Sequence, residues 1–270
     1  MLKQRIITAS ILAPVVLCCI FLLPVKGFAV FFALVTLIGA WEWALLSGMT
    51  ATLHRLAYSC VVLVGILLGW WLHLTGYQFY MVFPVVATWC IAFTWVYRYP
   101  AEGAWKQMLV RALCGVLILV SAWLSMLELK SLTLGNAWLL LVLLIVWAAD
   151  IGAYFSGKRW GRIKLAPNVS PGKTREGMYG GLVAVALTVV VFAWWIDLEF
   201  QSSVFLLLLG VVVGLISVMG DLFESLLKRH AQIKDSGSIL PGHGGVLDRI
   251  DSILAAAPFY FLGLTFLPIV

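Results

Sequence analysis

Five of the twelve acids in this chain, Asp221, Glu224, Asp235, Asp248 and Asp251, fall between positions 221 and 251, interleaved with Lys228, Arg229, Lys234 and Arg249. Carboxylates and cations that alternate around a glycine-rich turn suit metal ions bound to a phosphorylated substrate. Asp221, Glu224, Ser225 and Lys228 recur at i, i+3, i+4 and i+7, so a helix running through them carries all four on one stripe. The bland alternative is a solvated helix end with Glu224 and Lys228 as an i,i+4 pair, worth about 0.2–0.5 kcal/mol. Asp221 argues against it, because it follows the apolar run Val213–Gly220. An ionised aspartate at membrane depth costs up to about 2.5–3.5 kcal/mol unless it is paired, and a divalent cation is one such partner.

Pro241-Gly242-His243-Gly244-Gly245 precedes Asp248, Arg249 and Asp251. Three glycines allow left-handed backbone and turn several N–H groups toward one point, which makes an anion nest of His243, Gly244 and Gly245. Asp248 and Asp251 lie one turn apart at the entry to the last apolar run, where Asp251 equally suits a helix cap. A second polar island runs from Asp150 to Glu176, with six basic residues and no acid between 158 and 175. Within it Lys164, Ser170, Lys173, Thr174, Arg175 and Glu176 stand directly before an apolar run, where donors at a helix start grip phosphate oxygens. Gly172-Lys173-Thr174 invites a P-loop reading. The first glycine of that motif would fall on Pro167 and no strand is expected upstream, so the P-loop is rejected.

Around these islands the chain is oily. Hydrophobic residues are 63% and charged residues 11% of 270, and the mean hydropathy is +1.05, values that exclude an ordinary soluble domain. The predicted fold is all-α, a polytopic transmembrane helical bundle in one domain. Apolar runs near 6–23, 28–46, 56–74, 78–97, 108–127, 136–154, 178–196, 203–222 and 252–269 give about nine spans of the ~20 residues a bilayer needs. With the N-terminus cytoplasmic, sixteen of the eighteen Lys and Arg residues fall on inside segments, leaving Lys26 and Lys130 outside. Both islands then face the cytoplasm, and the net charge of +6 reflects this topology, with anionic lipid or nucleotide as a second draw.

Residues 1–135 hold three acids, Glu42, Glu102 and Glu128, and read as scaffold, whereas 136–270 hold the other nine and read as the catalytic half. Glu42, between Trp41 and Trp43, reads as an interfacial anchor or a buried structural pair. Asp150, with Tyr154 one turn later, is a functional candidate as an intramembrane acid. The five cysteines and the histidines lack zinc-site spacing.

The run S-L-L-K-R-H-A-Q-I-K-D-S-G-S-I-L-P-G-H-G-G-V-L-D-R-I-D, from Ser225 to Asp251, resembles the signature of the phosphatidate cytidylyltransferases of bacterial type. D-I-G-A-Y at 150–154 and K-L-A-P-N-V-S-P-G-K-T at 164–174 are similar to further elements of that family. The resemblance implies transfer of CMP from CTP to phosphatidate, giving CDP-diacylglycerol and pyrophosphate, at the cytoplasmic face of a bacterial inner membrane. It also implies dependence on Mg²⁺, a second cation such as K⁺, and a homodimer. By position Asp221 and Asp248 correspond to metal-binding carboxylates, with Glu224 and Asp251 as further candidates. Lys228 and Arg249 join Asp221 and Asp248 as catalytic candidates, and Arg229, Lys234 and Asp235 join the substrate-binding set. A CTP-dependent lipid or polyprenol kinase would use similar machinery but release CDP. A transporter would need repeats that this chain lacks, and the D-x-x-D-G-x-x-A-R run of the CDP-alcohol phosphotransferases is absent.

Overall fold

A computed structural model describes residues 2–77 and 82–267. They form nine α-helices: α1 (Leu2–Leu22), α2 (Val25–Leu46), α3 (Thr52–Thr75), α4 (Val82–Arg98), α5 (Met108–Ser131), α6 (Gly135–Trp160), α7 (Arg175–Trp195), α8 (Phe200–His230) and α9 (Leu247–Leu264). Each coincides with one of the predicted apolar runs. Positions 78–81 and 268–269 of the fourth and ninth runs lie outside the described residues. Six helices, α2, α3, α5, α6, α7 and α8, are long and apolar enough to cross a membrane by length and composition. A small hairpin interrupts the helical pattern: β1 (Lys164–Ala166) pairs antiparallel with β2 (Ser170–Thr174). Contrary to the expectation that no strand precedes the Gly172-Lys173-Thr174 triplet, β2 carries it and leads into α7. That does not restore a P-loop, because the triplet is in the strand itself and Thr174 Oγ1 caps α7 by accepting from Gly177 N at 3.1 Å.

Two helix pairs set the site, and both depend on missing side chains. Where α6 meets α7, a Cβ on Gly152 would lie 2.8 Å from the Ala184 methyl, and one on Gly181 2.6 Å from the Ala149 carbonyl oxygen. Close backbone approach through small residues is how helices associate where water supplies no hydrophobic drive. The same device joins α8 to α9, since a Cβ on Gly220 would fall 2.7 Å from Ala255 Cβ and 2.8 Å from the Asp251 carbonyl oxygen. The acids of α8 and α9 therefore face each other across a narrow gap.

α8 is fixed in rotation by Phe223, buried against Trp43 of α2 and Trp89 and Trp95 of α4 at ring separations of 6.2, 5.8 and 6.3 Å. Trp43 is held in turn by donating from Nε1 to the Arg111 carbonyl at 3.0 Å. The Arg111 side chain gathers the carbonyls of Ser47, Trp105 and Lys106 at 2.6–3.0 Å. Thus the scaffold half positions α8 through aromatic packing and satisfied carbonyls.

Candidate functional site

α8 continues two turns past Asp221, so the predicted stripe forms as expected: Ser225 Oγ donates to Asp221 Oδ1 at 3.2 Å, and Lys228 Nζ to Glu224 Oε2 at 2.7 Å. Lys228 also reaches α9, where its ammonium meets Asp248 Oδ1 at 2.6 Å. Glu224 and Asp248 are 3% and 4% exposed, so this cation is shared between two buried carboxylates. Asp221 Oδ2 takes a different cation, Lys173 from β2, at 2.6 Å, and that pair is half-buried. Asp251 stands between the two systems, within electrostatic reach of Asp221 and carboxyl to carboxyl with Glu224. Glu224 Oε1 is buried and meets no donor among the described residues. Asp150 on α6 lies near Lys173, Asp221 and Arg249.

The loop between α8 and α9 is fastened by two carboxylates. Asp248 Oδ2 accepts from the N–H of Ser236 at 2.9 Å, the hydroxyl of Ser236 at 3.0 Å and the N–H of Gly245 at 2.8 Å. Burial opposes ionisation of Asp248, which precedes the apolar part of α9. Lys228 and the donated N–H groups outweigh it and hold the carboxyl below the ordinary aspartate range. The second fastener is Glu42, fully buried on α2. Its carboxylate accepts from Val246 N at 3.1 Å and Leu247 N at 2.7 Å, two of the donors that the start of α9 leaves free, and lies 3.3 Å from Ser236 Oγ. Gly245 makes this possible, since a Cβ there would stand 2.3 Å from Ser236 Oγ and 2.6 Å from both Glu42 oxygens. Gly244 has φ +84° and its carbonyl accepts from Leu240 N at 2.9 Å, which folds the turn back on itself.

The cap expected of Asp251 is therefore made by Glu42. Asp251 is the fifth residue of α9, past the turn whose N–H groups need acceptors, and its carboxyl faces the other acids instead. Among the described residues Glu42 forms no ion pair, and with 0% exposure it is not an interfacial anchor. A lone acid in an apolar run marks it as unusual, but nothing in the sequence pairs it with amides some two hundred positions away.

Several phosphate-binding candidates hold the scaffold in this structure. Glu176 accepts from Arg162 N at 3.0 Å and Ile163 N at 3.2 Å, closing the link from α6 to β1. Arg229 Nε donates to the Val169 carbonyl at 3.1 Å, tying the hairpin to the end of α8. Arg249 donates to the His243 carbonyl at 3.0 Å. Lys164, Arg175, Lys234 and Asp235 are exposed around the site, and Ser170 is half-buried on β2.

Among the described residues no three acidic, histidine or cysteine side chains close around one point as ready-made metal ligands. The donor set nevertheless fits a hard divalent ion. Glu224 and Asp251 meet carboxyl to carboxyl, Asp221 lies within electrostatic reach of Asp251, Glu224 Oε1 meets no donor among the described residues, and the nearby Lys173 and Lys228 show that the cluster calls for positive charge.

A model of the cytidylyltransferase family matches residues 3–267. The chain belongs to the cytidylyltransferase family. It is 45% identical to a phosphatidate cytidylyltransferase of Pseudomonas aeruginosa over 96% of both chains. It is 36% identical to one of Haemophilus influenzae over 96% of this chain and 97% of that one. A phosphatidate cytidylyltransferase of Bacillus subtilis is 45% identical over 47% of this chain and 48% of its own. In a cytidylyltransferase the anionic phosphates must be gripped and the charge on the departing pyrophosphate opposed. In this structure Lys173 rests on Asp221 and Lys228 on Glu224 and Asp248.

Proposed function

We propose that this cytidylyltransferase transfers CMP from CTP to phosphatidate, with Mg²⁺, at the cytoplasmic face of a bacterial inner membrane. The observation that carries the reading is the row Lys173, Asp221, Asp251, Glu224, Lys228 and Asp248, assembled at the polar end of a bundle of membrane-length helices. The names of the full-length relatives narrow the acceptor to phosphatidate. The asymmetry of basic residues between alternate loops supports the orientation.

A phosphate oxygen of phosphatidate attacks the α-phosphorus of CTP, the bond from that phosphorus to the bridging oxygen breaks, and pyrophosphate leaves with its electron pair. The attacking oxygen is already anionic at neutral pH, so the protein removes no proton. Its work is positioning and charge neutralisation. Lys173 exchanges Asp221 for a phosphate oxygen and Arg249 orients the triphosphate, whereas the anion nest expected of the glycine turn is not formed, because the N–H groups of His243 and Gly245 are donated to the Leu240 carbonyl and to Asp248. Lys228 stays with Glu224 and Asp248 and keeps α8 and α9 in register. Mg²⁺ would be held by Asp221, with Asp251, Glu224 and Asp248 beside it, and when bound it supplies charge neutralisation at the nucleotide phosphates.

The test is purified protein in detergent with phosphatidate, cytidine-labelled CTP and Mg²⁺, with and without chelator. The expected result is label in the lipid phase together with released pyrophosphate, abolished by chelator. Label left in the aqueous phase as CDP, with a newly phosphorylated lipid, would point to a kinase and overturn the proposal.

A further inference from the structure

Several cations at the polar end of the bundle are taken up inside the protein. Lys173 and Lys228 rest on acids, and Arg111, Arg229 and Arg249 donate to carbonyls. The side chains of Arg159, Arg162, Lys164 and Arg175 differ: they are exposed and form no hydrogen bond or ion pair among the described residues. Backbone contacts gather them. Arg175 N donates to the Ile163 carbonyl at 2.9 Å, Lys164 stands opposite Thr174 in the hairpin, and Glu176 accepts from the N–H groups of Arg162 and Ile163. Like charges held on one short, fastened segment repel one another, and the repulsion is relieved by an anion from outside.

The neighbouring residues decide which anion. Trp160 and Ile163, 63% and 53% exposed, stand among these cations. On α6, Ile151, Phe155 and Arg159 recur at i, i+4 and i+8, so one exposed stripe runs from apolar side chains to a guanidinium. α6 is long and apolar enough to span a bilayer, so that stripe faces hydrocarbon as far as Phe155, and Arg159 emerges one turn later, at the depth of lipid phosphates. Tryptophan belongs at the same depth, its ring against acyl chains and its N–H toward water. A soluble polyanion offers nothing to Trp160 and Ile163, whereas a phospholipid offers phosphate to the arginines and an apolar body to both. The stripe is also separate from the reaction site: Asp150, Tyr154 and Lys158, one position round α6, line the cavity of about 380 Å³ beside Lys173.

We infer that Arg159 and Arg162, with Trp160 and Ile163, form a docking surface for anionic phospholipids of the bilayer that are not substrates, and that this contact steadies the β1–β2 hairpin. The consequence follows from connectivity. The link that carries Arg162 and Ile163 leads directly into β1, and β2 carries Lys173 to Asp221. A headgroup bound at the entrance of the hairpin therefore limits the freedom of the lysine at the other end of it. The surface stands apart from the proposed reaction, while its effect on rate builds on that reaction.

Titration of the purified protein in neutral detergent with phosphatidylglycerol, read by native mass spectrometry, measures the binding without turnover. Each basic residue beside an anionic headgroup is worth about fivefold, so Arg159→Gln/Arg162→Gln should bind this lipid about 25-fold more weakly than the parent. Arg159→Lys/Arg162→Lys keeps both charges and should stay near the parent. CMP transfer is then followed in vesicles of phosphatidylcholine, alone or with a third of it replaced by phosphatidylglycerol, at saturating phosphatidate. The parent should be faster in the anionic vesicles, by about fivefold, and should lose the gain in high salt. The glutamine variant should match the parent in neutral vesicles and gain nothing from phosphatidylglycerol. Equal lipid binding by the parent and the glutamine variant, an equal gain in both, or no gain in the parent overturns the inference. A parent that binds phosphatidylglycerol through these arginines yet forms no lipid-soluble cytidine product in any vesicle would instead defeat the proposed reaction and leave the docking surface standing.

Discussion

Replacing Glu42 by alanine should disable the site from α2, a helix that otherwise supports it only indirectly, through Trp43 packed on Phe223. The carboxylate receives the N–H groups of Val246 and Leu247, at 3.1 and 2.7 Å, inside the protein. A buried donor left without an acceptor costs about 1–3 kcal/mol, so the two together cost about 2–6 kcal/mol. The polar loop absorbs that cost by leaving its place, which withdraws Gly245 N–H and Ser236 from Asp248. If the whole cost appears as lost population of the ordered loop, turnover falls by about 30-fold to about 3 × 10⁴-fold, at about 1.36 kcal/mol per decade. Glu42→Gln keeps the volume and one acceptor oxygen and should lose about half as much free energy. The assay pairs CMP transfer with limited trypsin cleavage at Lys234, exposed in the loop, and at Arg249, exposed in the first turn of α9. Glu42→Ala should be cut faster than the parent, Glu42→Gln should be intermediate, and turnover should follow the same order. Parental cleavage and parental turnover in Glu42→Ala would refute the reasoning.

Lys173→Ala should insert and fold normally but lose at least about tenfold in transfer, because its half-buried pair with Asp221 adds only about 0–1 kcal/mol to stability. Lys228→Ala leaves Glu224 and Asp248 buried without their cation, so it should cost about 3–5 kcal/mol and reduce the yield of folded protein as well as activity, read by monodisperse recovery in detergent. Asp221→Ala should lower the transfer rate on the order of 10³-fold with recovery unchanged, several kcal/mol of transition-state stabilisation. Asp251→Ala should be of similar severity, since Asp251 faces Asp221 and Glu224; a mild phenotype would restore a capping role. Gly245→Ala should collapse recovery or activity through its contacts of 2.3 and 2.6 Å, whereas Gly172→Ala, with no atom within 4 Å of the added methyl, should fold as the parent does.

The helices were legible because the bilayer imposes a length and an apolar composition that survive without knowledge of neighbours. The stripe Asp221, Glu224, Ser225 and Lys228 was legible for a related reason, since helical spacing alone puts four polar residues on one face. What could not be read were contacts that depend on how faces meet. The β1–β2 hairpin is short, and Pro167 and Pro171 sit beside or within it, so no alternation announces it. The N-terminus of α9 has no side-chain cap of its own, and local capping rules therefore assigned the task to Asp251. The acceptor arrives from α2, a pairing that exists only after α2, α5 and α9 have packed.

The lysines show why composition alone misleads about the charged islands. Counting basic residues assigns them to topology and substrate binding, yet Lys173 and Lys228 each end on an acid. In a low-dielectric interior, acids gathered for polyanion chemistry repel one another and must be neutralised whenever no cation or substrate attends them. The two lysines do this with unequal permanence. Lys228 has partners that are 3% and 4% exposed and would leave both stranded if it moved, so its place is structural. Lys173 and Asp221 are 26% and 29% exposed, and the lysine comes from a hairpin rather than a helix, so water can solvate each partner as they separate. In the proposed mechanism the same kind of ion pair acts as a clamp at one end of the acid row and as a releasable counter-ion at the other, and the difference lies in burial, which spacing along the chain does not encode.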